Sequence, residues 1–292
     1  MDTSKLDSDL PGRMEIVDVP FFSQELHQCG PAALAMVLAW NGQDVSPKQL
    51  EESVYIPARK GSLPLDLLSA ARRRGAIAYL VEPTASNVFA ELSARHPIIV
   101  LLNMGLDWFP IWHYAVLIGF DLKNETVVLR SGTSTRSEIS FSTFETFWRR
   151  SNYWGLVVLA AEDLPVTATK RAYLQAALGL ERAKHWKEAS LAYRMALTMW
   201  PTDLIALTGL ANSLMKLGDL DGAARVLGVG YQHYQDSPPL LNNYAHVLAK
   251  QGKWLKAHII ACKAISLGGP YRGQCVSTLR EIEDHIHAKC AY

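Results

Sequence analysis

The chain has 292 residues, 49% hydrophobic and 20% charged, proportions of a globular protein with a sizeable core and not of a disordered chain. Its 29 basic against 28 acidic residues leave a formal charge of +1, so no global basic field points to nucleic acid. No apolar run reaches the ~18–20 residues of a membrane span.

The N-terminal "MDTSKLDSDLPGR" is polar and lacks the basic-then-apolar order of a signal peptide. The expected compartment is the cytoplasm if the sequence is complete, and the periplasm or a lipoprotein anchor if a signal has been removed. Four cysteines in this length do not make a disulfide scaffold. Cys262, Cys275 and Cys290 sit in a helical-looking tail without metal-site spacing and read as small apolar residues. No metal or cofactor is expected, because neither H-E-x-x-H nor a glycine-rich phosphate loop is present.

In chain order, "CGPAALAMVLAW" reads as a buried helix with Pro31 in its first turn, where a missing N–H costs nothing. "SPKQLEES" starts a second helix with Ser46 as N-cap and Pro47 at its first position. Ser62 precedes a third, "LPLDLLSAARRRG", closed by Gly75. The runs "AIAYLVE", "PIIVLLN", "HYAVLIGFD", "ETVVLR" and "GLVVLAAE" read as strands. Helices first and strands after predict an α+β domain over 14–161. "RSGTSTR" reads as a polar hairpin loop.

A short polar linker, 162–169, leads to a wholly helical stretch over 170–292. There Ala189, Ala223 and Ala257 fall 34 residues apart, as do Lys184, Gly218 and Gly252, the period of tetratricopeptide repeats. Ala177, Ala211 and Ala245 fill the small site of each first helix; Tyr193, Leu227 and Ala261 fill the large site of each second helix. Pro201 and Pro270 close their repeats. About three repeats and a capping helix near 276–289 are expected, offering a surface for a protein partner.

Cys29 stands where a helix begins. Unpaired N–H groups and the macrodipole there favour a thiolate, the form in which sulfur attacks. The small Gly30 leaves room for a substrate. Acyl chemistry also needs oxyanion donors: the Cys29 N–H is one, and Gln24 or Gln28 supplies the other. Gln24 is preferred, since a residue adjacent to Cys29 tends to point away. Among nine histidines, His113 sits at the mouth of a strong strand among aromatics, as a satisfied structural group or as a base. His27 lies in the loop ahead of the cysteine, where it could flank a cleft.

"SQELHQCGPAALAMVL" followed by "HYAVLIGFD" resembles the C39-type, papain-like cysteine peptidases, and more closely stand-alone bacterial C39-like proteins with tetratricopeptide repeats. That resemblance implies Cys29 as nucleophile, His113 as base and Gln24 as oxyanion donor, in a helical lobe opened by the cysteine against a β-lobe holding the histidine. The family usually orients its histidine with an Asp on the following strand. Here a turn at "DLKN" pairs Phe120 with Glu125 and sets His113 opposite Gly132, so Ser131 or a backbone carbonyl must hold the ring. Asp121, eight residues along the strand, is roughly 26 Å away. Trp108, Phe109 and Trp112 are expected to wall the cleft or to pack in the β-lobe core. Trp108, Trp112, His27 and Gln28 are the substrate-contact candidates. Three functions remain open: a cysteine peptidase acting on a peptide or protein recruited by the repeats, a weak or inactive peptide-binding adaptor, and an acyl transferase using the same Cys–His pair.

Overall fold

The computed structural model describes residues 10–23 and 28–286. Contacts divide the chain into two units, 1–183 and 184–292, each taken here by itself.

Unit 1 is an antiparallel sheet with helices packed on it. Strand β1 (Arg13–Glu15) precedes helices α1 (Cys29–Trp40), α2 (Pro47–Val54) and α3 (Pro64–Arg73), with a 3₁₀ turn at Pro57–Arg59. Then follow β2 (Ile77–Leu80), α4 (Ala85–Ser93), β3 (Ile98–Asn103), β4 (Trp112–Asp121), β5 (Thr126–Ser131), β6 (Ser134–Ser140), α5 (Phe141–Arg149) and β7 (Gly155–Leu159), and finally α6 (Lys170–Arg182). The sheet order is β2-β7-β3-β4-β5-β6, with β1 added along β4. The five strands expected from apolar runs are all present. Strands β1 and β6 and helices α4 and α5 were not expected. The segment "STRSEIS" is polar because β6 is an edge strand, mostly exposed and hydrogen-bonded on one side only, so no apolar alternation marks it.

Helix α1 is buried from Gly30 to Leu38. A helix apolar on all sides must lie inside, and α1 packs on α2, α3, β3, β4 and β7. Its C-terminal end is tied to the sheet by Asn41, whose Nδ2 donates to Val37 O (2.9 Å) and Val158 O (2.7 Å). Helix α2 starts as expected, with the Gln49 side chain accepting from Ser46 N at 2.7 Å. Helix α3 is capped one residue later than expected: Leu63 is its N-cap, and Asp66 accepts from Leu63 N at 3.2 Å. On other faces of the sheet strands, Phe89 of α4 stacks on Phe120 of β4 at 4.4 Å, and Phe141 of α5 lies 5.4 Å from Phe89.

The β4–β5 register differs from the expected one. Phe120 pairs with Val127 and Asp121 with Thr126, a slip of two residues relative to a Phe120–Glu125 pair, and a β-bulge lies between Leu117 and Gly119. The turn keeps its length but moves one residue along the chain, to 122–125, because Asp121 holds it, accepting from Asn124 N and Nδ2 at 3.0 Å each, while Glu125 takes a left-handed conformation (φ 52°). At the bulge β1 passes so close that a side chain at Gly119 would meet Met14 O at 2.4 Å.

The segment read as a linker is bound into unit 1. Glu91, fully buried, accepts from Thr167 N (2.8 Å) and Thr167 Oγ1 (2.6 Å), and its other oxygen meets His96 Nδ1 at 2.6 Å. Tyr79 donates its phenol to Thr167 O at 2.8 Å. Helix α6 packs on β2 and α3, where a side chain at Gly179 would meet the Arg72 guanidinium.

Unit 2 is a run of helices: α7 (Trp186–Met199), α8 (Leu204–Lys216), α9 (Leu220–His233), α10 (Pro238–Lys250), α11 (Trp254–Ser266) and α12 (Arg272–Ile286). Each packs on the next, and α8 and α12 also reach α10. The 34-residue register is visible in the backbone: Lys184, Gly218 and Gly252 all have positive φ, at 64°, 83° and 73°. Ala189, Ala223 and Ala257 are fully buried. Tyr193 lies against Gly209, where an added Cβ would stand 2.2 Å from the ring. Cys275 is a free buried thiol as expected, but Cys262 is disulfide-bonded; two side chains joined by a covalent bond replace the expected lone apolar thiol. Cys290 lies outside the described residues.

Two outcomes follow. A chain ending at residue 183 should keep unit 1 folded, whereas one ending at 165 leaves the Glu91 carboxylate without Thr167 and uncovers Tyr79. Such a chain should lose at least ~2 kcal/mol by urea titration. Lys184→Gly should raise stability by about 0.5–1 kcal/mol, since only glycine adopts positive φ without steric cost.

Candidate active site

Cys29 is the first residue of α1, half-buried, and its thiol is met by the N–H groups of Tyr114 and Gly30. The packing of α1 on β4 is what brings the thiol to Tyr114, the neighbour of His113. Burial pushes the Cys29 thiol up, above its ordinary range, and the N–H donors from Tyr114, Gly30 and Cys29 itself only partly oppose this. The helix N-terminus therefore does not yield a resting thiolate, contrary to what position alone suggests, because desolvation outweighs the donors.

His113 stands in β4 opposite Leu102 of β3. Its Nε2 lies 2.8 Å from Ser131 Oγ at the end of β5. Ser131 thus meets the ring as expected, although the register that led there is wrong by two residues at the turn; the bulge at Leu117–Gly119 takes back part of the slip. Burial alone lowers the imidazole from its ordinary value. Both members of the pair are held toward their neutral forms by the same cause.

Cys29 and His113 line one cleft of about 970 Å³. Besides these two residues, its lining comes from three segments of the chain, Arg59–Pro64, Pro110–Trp112 and Arg150–Asn152, with Leu101, Tyr114 and Gly132. Ser62 is part of the first segment. Its Oγ is buried with no hydrogen-bond partner among the described residues and sits where a Cβ on Gly30 would be, 2.4 Å away. Gly30 is therefore required by the approach of Ser62 to helix α1. Tyr114 donates its phenol to Ser62 O at 3.3 Å. Its ionisation is pushed far up by burial, with Cys29 and Asp66 adding to the rise.

Of the sequence candidates, Trp112 lines the cleft, half exposed, whereas Trp108 (80% exposed) lies outside its lining. Gln28 turns away and donates to Glu51 on α2 at 3.3 Å. Gln24 and His27 fall outside the described residues. The loop carrying Trp108 is a built hairpin: Leu106 and Phe109 exchange backbone hydrogen bonds of 3.1 Å, and buried Asn103 accepts from Gly105 N and Ile111 N at 3.0 Å each. Gly105 is fixed by contact, since a Cβ would meet Phe109 O. Sequence reasoning passed over Arg59, Lys60, Ser62, Tyr114 and Asn152. Only Asn152–Tyr153, two consecutive positive-φ residues (52° and 56°), lay in a stretch of turn composition that could have drawn notice. Among the described residues no three His, Cys, Asp or Glu side chains gather as metal ligands. No helix among them is long and apolar enough to cross a membrane.

In unit 2, a groove of about 590 Å³ lies among α9, α10 and α11. Tyr231 and Tyr244 lie 5.9 Å apart there, with Lys263 and Lys256 over their rings at 5.3 and 5.6 Å.

Residues 16–155 match the model of the Peptidase_C39 like family. Solved structures similar to parts of the chain include a protein described as a C39-like peptidase from Bacillus anthracis, 19% identical with a TM-score of 0.42, covering 50% of this chain and 97% of that one. A double glycine motif protease from an AMS/PCAT transporter, in complex with its leader peptide, is 26% identical with a TM-score of 0.37, covering 49% and 91%. The first tetratricopeptide repeat of Spaghetti (RPAP3), bound to an HSP90 peptide, is 13% identical with a TM-score of 0.39, covering 41% and 94%. Among curated proteins none matches the chain.

The two shifts give a pH signature. Since burial lowers the His113 pKa, the unfolded chain binds more protons below ~6.5, so this group subtracts stability as pH falls through that value. The His113 ring should titrate by NMR below ~6.5. Alkylation of Cys29, mapped by mass, should rise with a midpoint above that of an ordinary thiol, ~8.5; a plateau already reached at pH 7 would contradict it.

Proposed function

We propose that this protein is a cysteine peptidase in which Cys29 attacks a peptide carbonyl and His113 moves the proton. The observation that carries the reading is His113 Nε2 at 2.8 Å from Ser131 Oγ, in the cleft that Cys29 also lines. With Nε2–H donated to Ser131, Nδ1 keeps its lone pair and is the nitrogen available as base.

The reaction starts from a neutral pair. Burial disfavours either charge alone, but proton transfer from Cys29 to His113 creates both charges together, where their attraction offsets the desolvation. Sulfur then bonds to the carbonyl carbon, and the Cys29 N–H is the backbone donor that turns to the oxyanion. The C–N bond breaks as the imidazolium returns its proton to the leaving amine. Water, deprotonated by His113, releases the thioester acid and restores the thiol. Gln24 remains the proposed side-chain oxyanion donor and His27 a proposed rim contact, whereas Gln28, bonded to Glu51, is not one. Ser131 is a positioning residue; an oriented hydroxyl in place of a carboxylate fixes the ring without adding charge.

We propose further that α7–α12 form a tetratricopeptide-type binding surface that recruits the protein to be cut. The 34-residue recurrence of buried alanines and positive-φ turns supports this, as does the tyrosine–lysine groove between α9 and α11.

Digestion of a proteome-derived peptide library, read by mass spectrometry, tests the chemistry. Cys29→Ala and His113→Ala should each lose more than ~10³-fold in turnover. Ser131→Ala should lose roughly 10- to 100-fold in kcat with KM little changed, the worth of one hydrogen bond to a group that becomes charged. No cleavage by the intact protein would favour a peptide-binding adaptor instead.

A further inference from the structure

The cleft is electrically one-sided. Among the described residues its lining holds three cationic side chains, Arg59, Lys60 and Arg150, and no acidic one. Arg150 is already engaged, donating to Gly105 O and lying 3.4 Å from Asp107. Arg59 and Lys60 are exposed and enter no ion pair or side-chain hydrogen bond among the described residues. Their turn is nevertheless not loose. Ile56 N donates to Gly61 O at 2.8 Å, Arg59 N to Ile56 O at 3.0 Å and Lys60 N to Pro57 O at 3.1 Å, and Lys60 holds a left-handed conformation (φ 48°). A non-glycine residue kept there is strained, and strain persists only where surrounding contacts over-determine it. Two uncompensated cations are therefore presented on a pinned turn at the rim of the cleft.

A second segment of the lining is apolar. Ile111 and Trp112, 54% and 52% exposed, continue into the hairpin tip with Trp108 and Phe109, 80% and 71% exposed. Exposed aromatics on a loop braced by Asn103 and Arg150 form a patch of the kind that marks an interaction surface. An occupant that satisfies both segments carries negative side chains toward Arg59 and Lys60 and bulky apolar ones toward Trp112.

We propose, building on the peptidase reading above, that Arg59 and Lys60 are specificity-determining residues that select a substrate segment bearing acidic side chains beside large apolar ones. The cationic and the apolar segments of one lining set the two halves of that preference. The cations raise the local concentration of acidic segments and reject basic ones.

The test is protection of Cys29 in the full chain from iodoacetamide, a neutral electrophile, mapped by mass. The protecting probes are three hexapeptides of alternating Glu-Leu, Gln-Leu and Lys-Leu. The Glu-Leu peptide should half-protect at a concentration at least ~10-fold below Lys-Leu at ~50 mM salt, with Gln-Leu between, and ~0.5 M salt should compress the difference. R59E/K60E should invert the order, and R59Q/K60Q should remove it. Equal protection by all three peptides, protection by none, or an order unchanged in both variants would overturn the proposal. Protection needs no turnover. A protein that shows the charge order but cuts nothing would therefore sink the peptidase reading while leaving this selectivity standing.

Discussion

The site depends on burying one helix end against one strand. Helix α1 is apolar on every side, so it can only be accommodated inside, against β3, β4 and β7. Once there, its N-terminus stops at the point where Tyr114 N–H faces the Cys29 thiol. Two things follow from that seating: the thiol meets the N–H groups of Tyr114 and Gly30, and it shares one cleft with His113. The same seating raises the thiol and lowers the imidazole, because neither is compensated while both are neutral. Desolvation here exceeds what a few N–H donors return.

Around this contact the molecule spends its polar groups on bracing. Asn103 closes the hairpin that presents Trp112, and Ser151 donates to Leu101 O (2.5 Å) and Trp148 O (2.7 Å) beneath the cleft edge. Glu91 gathers His96 and Thr167 into one buried cluster, which makes the segment 162–169 part of unit 1. Ser62 Oγ, Arg59 and Lys60 are among the groups without side-chain hydrogen-bond partners among the described residues and line the cleft; Arg72 Nε, Ser93 Oγ, Arg130 Nε and Asn242 Oδ1 are likewise unpartnered and lie outside it.

Unit 2 follows a different economy. A repeat asks little of each position beyond size: alanine where helices approach closely, and a residue able to take positive φ where the chain turns. Gly218 and Gly252 meet the second demand without cost, and Lys184 meets it under strain. Identical spacing in the sequence is then the direct image of identical packing in space.

The sequence by itself determined the helix opened by Cys29, the five apolar strands, the 34-residue register, and the pairing of Cys29 with His113 through the resemblance of their flanking motifs. These are local or periodic, and periodicity survives in one dimension. It could not reveal β6, whose polarity reflects an edge with no second partner, or the α5 helix. It also misplaced the β4–β5 turn by one residue, because Asp121 sets that turn through hydrogen bonds that no apolar pattern encodes. The sign of the thiol shift and the identity of the cleft walls were decided only by tertiary structure. Desolvation depends on atoms contributed from distant segments, and the approach of Ser62 to Gly30, or of Arg59 to a cleft opened by Cys29, exists only after the chain has folded.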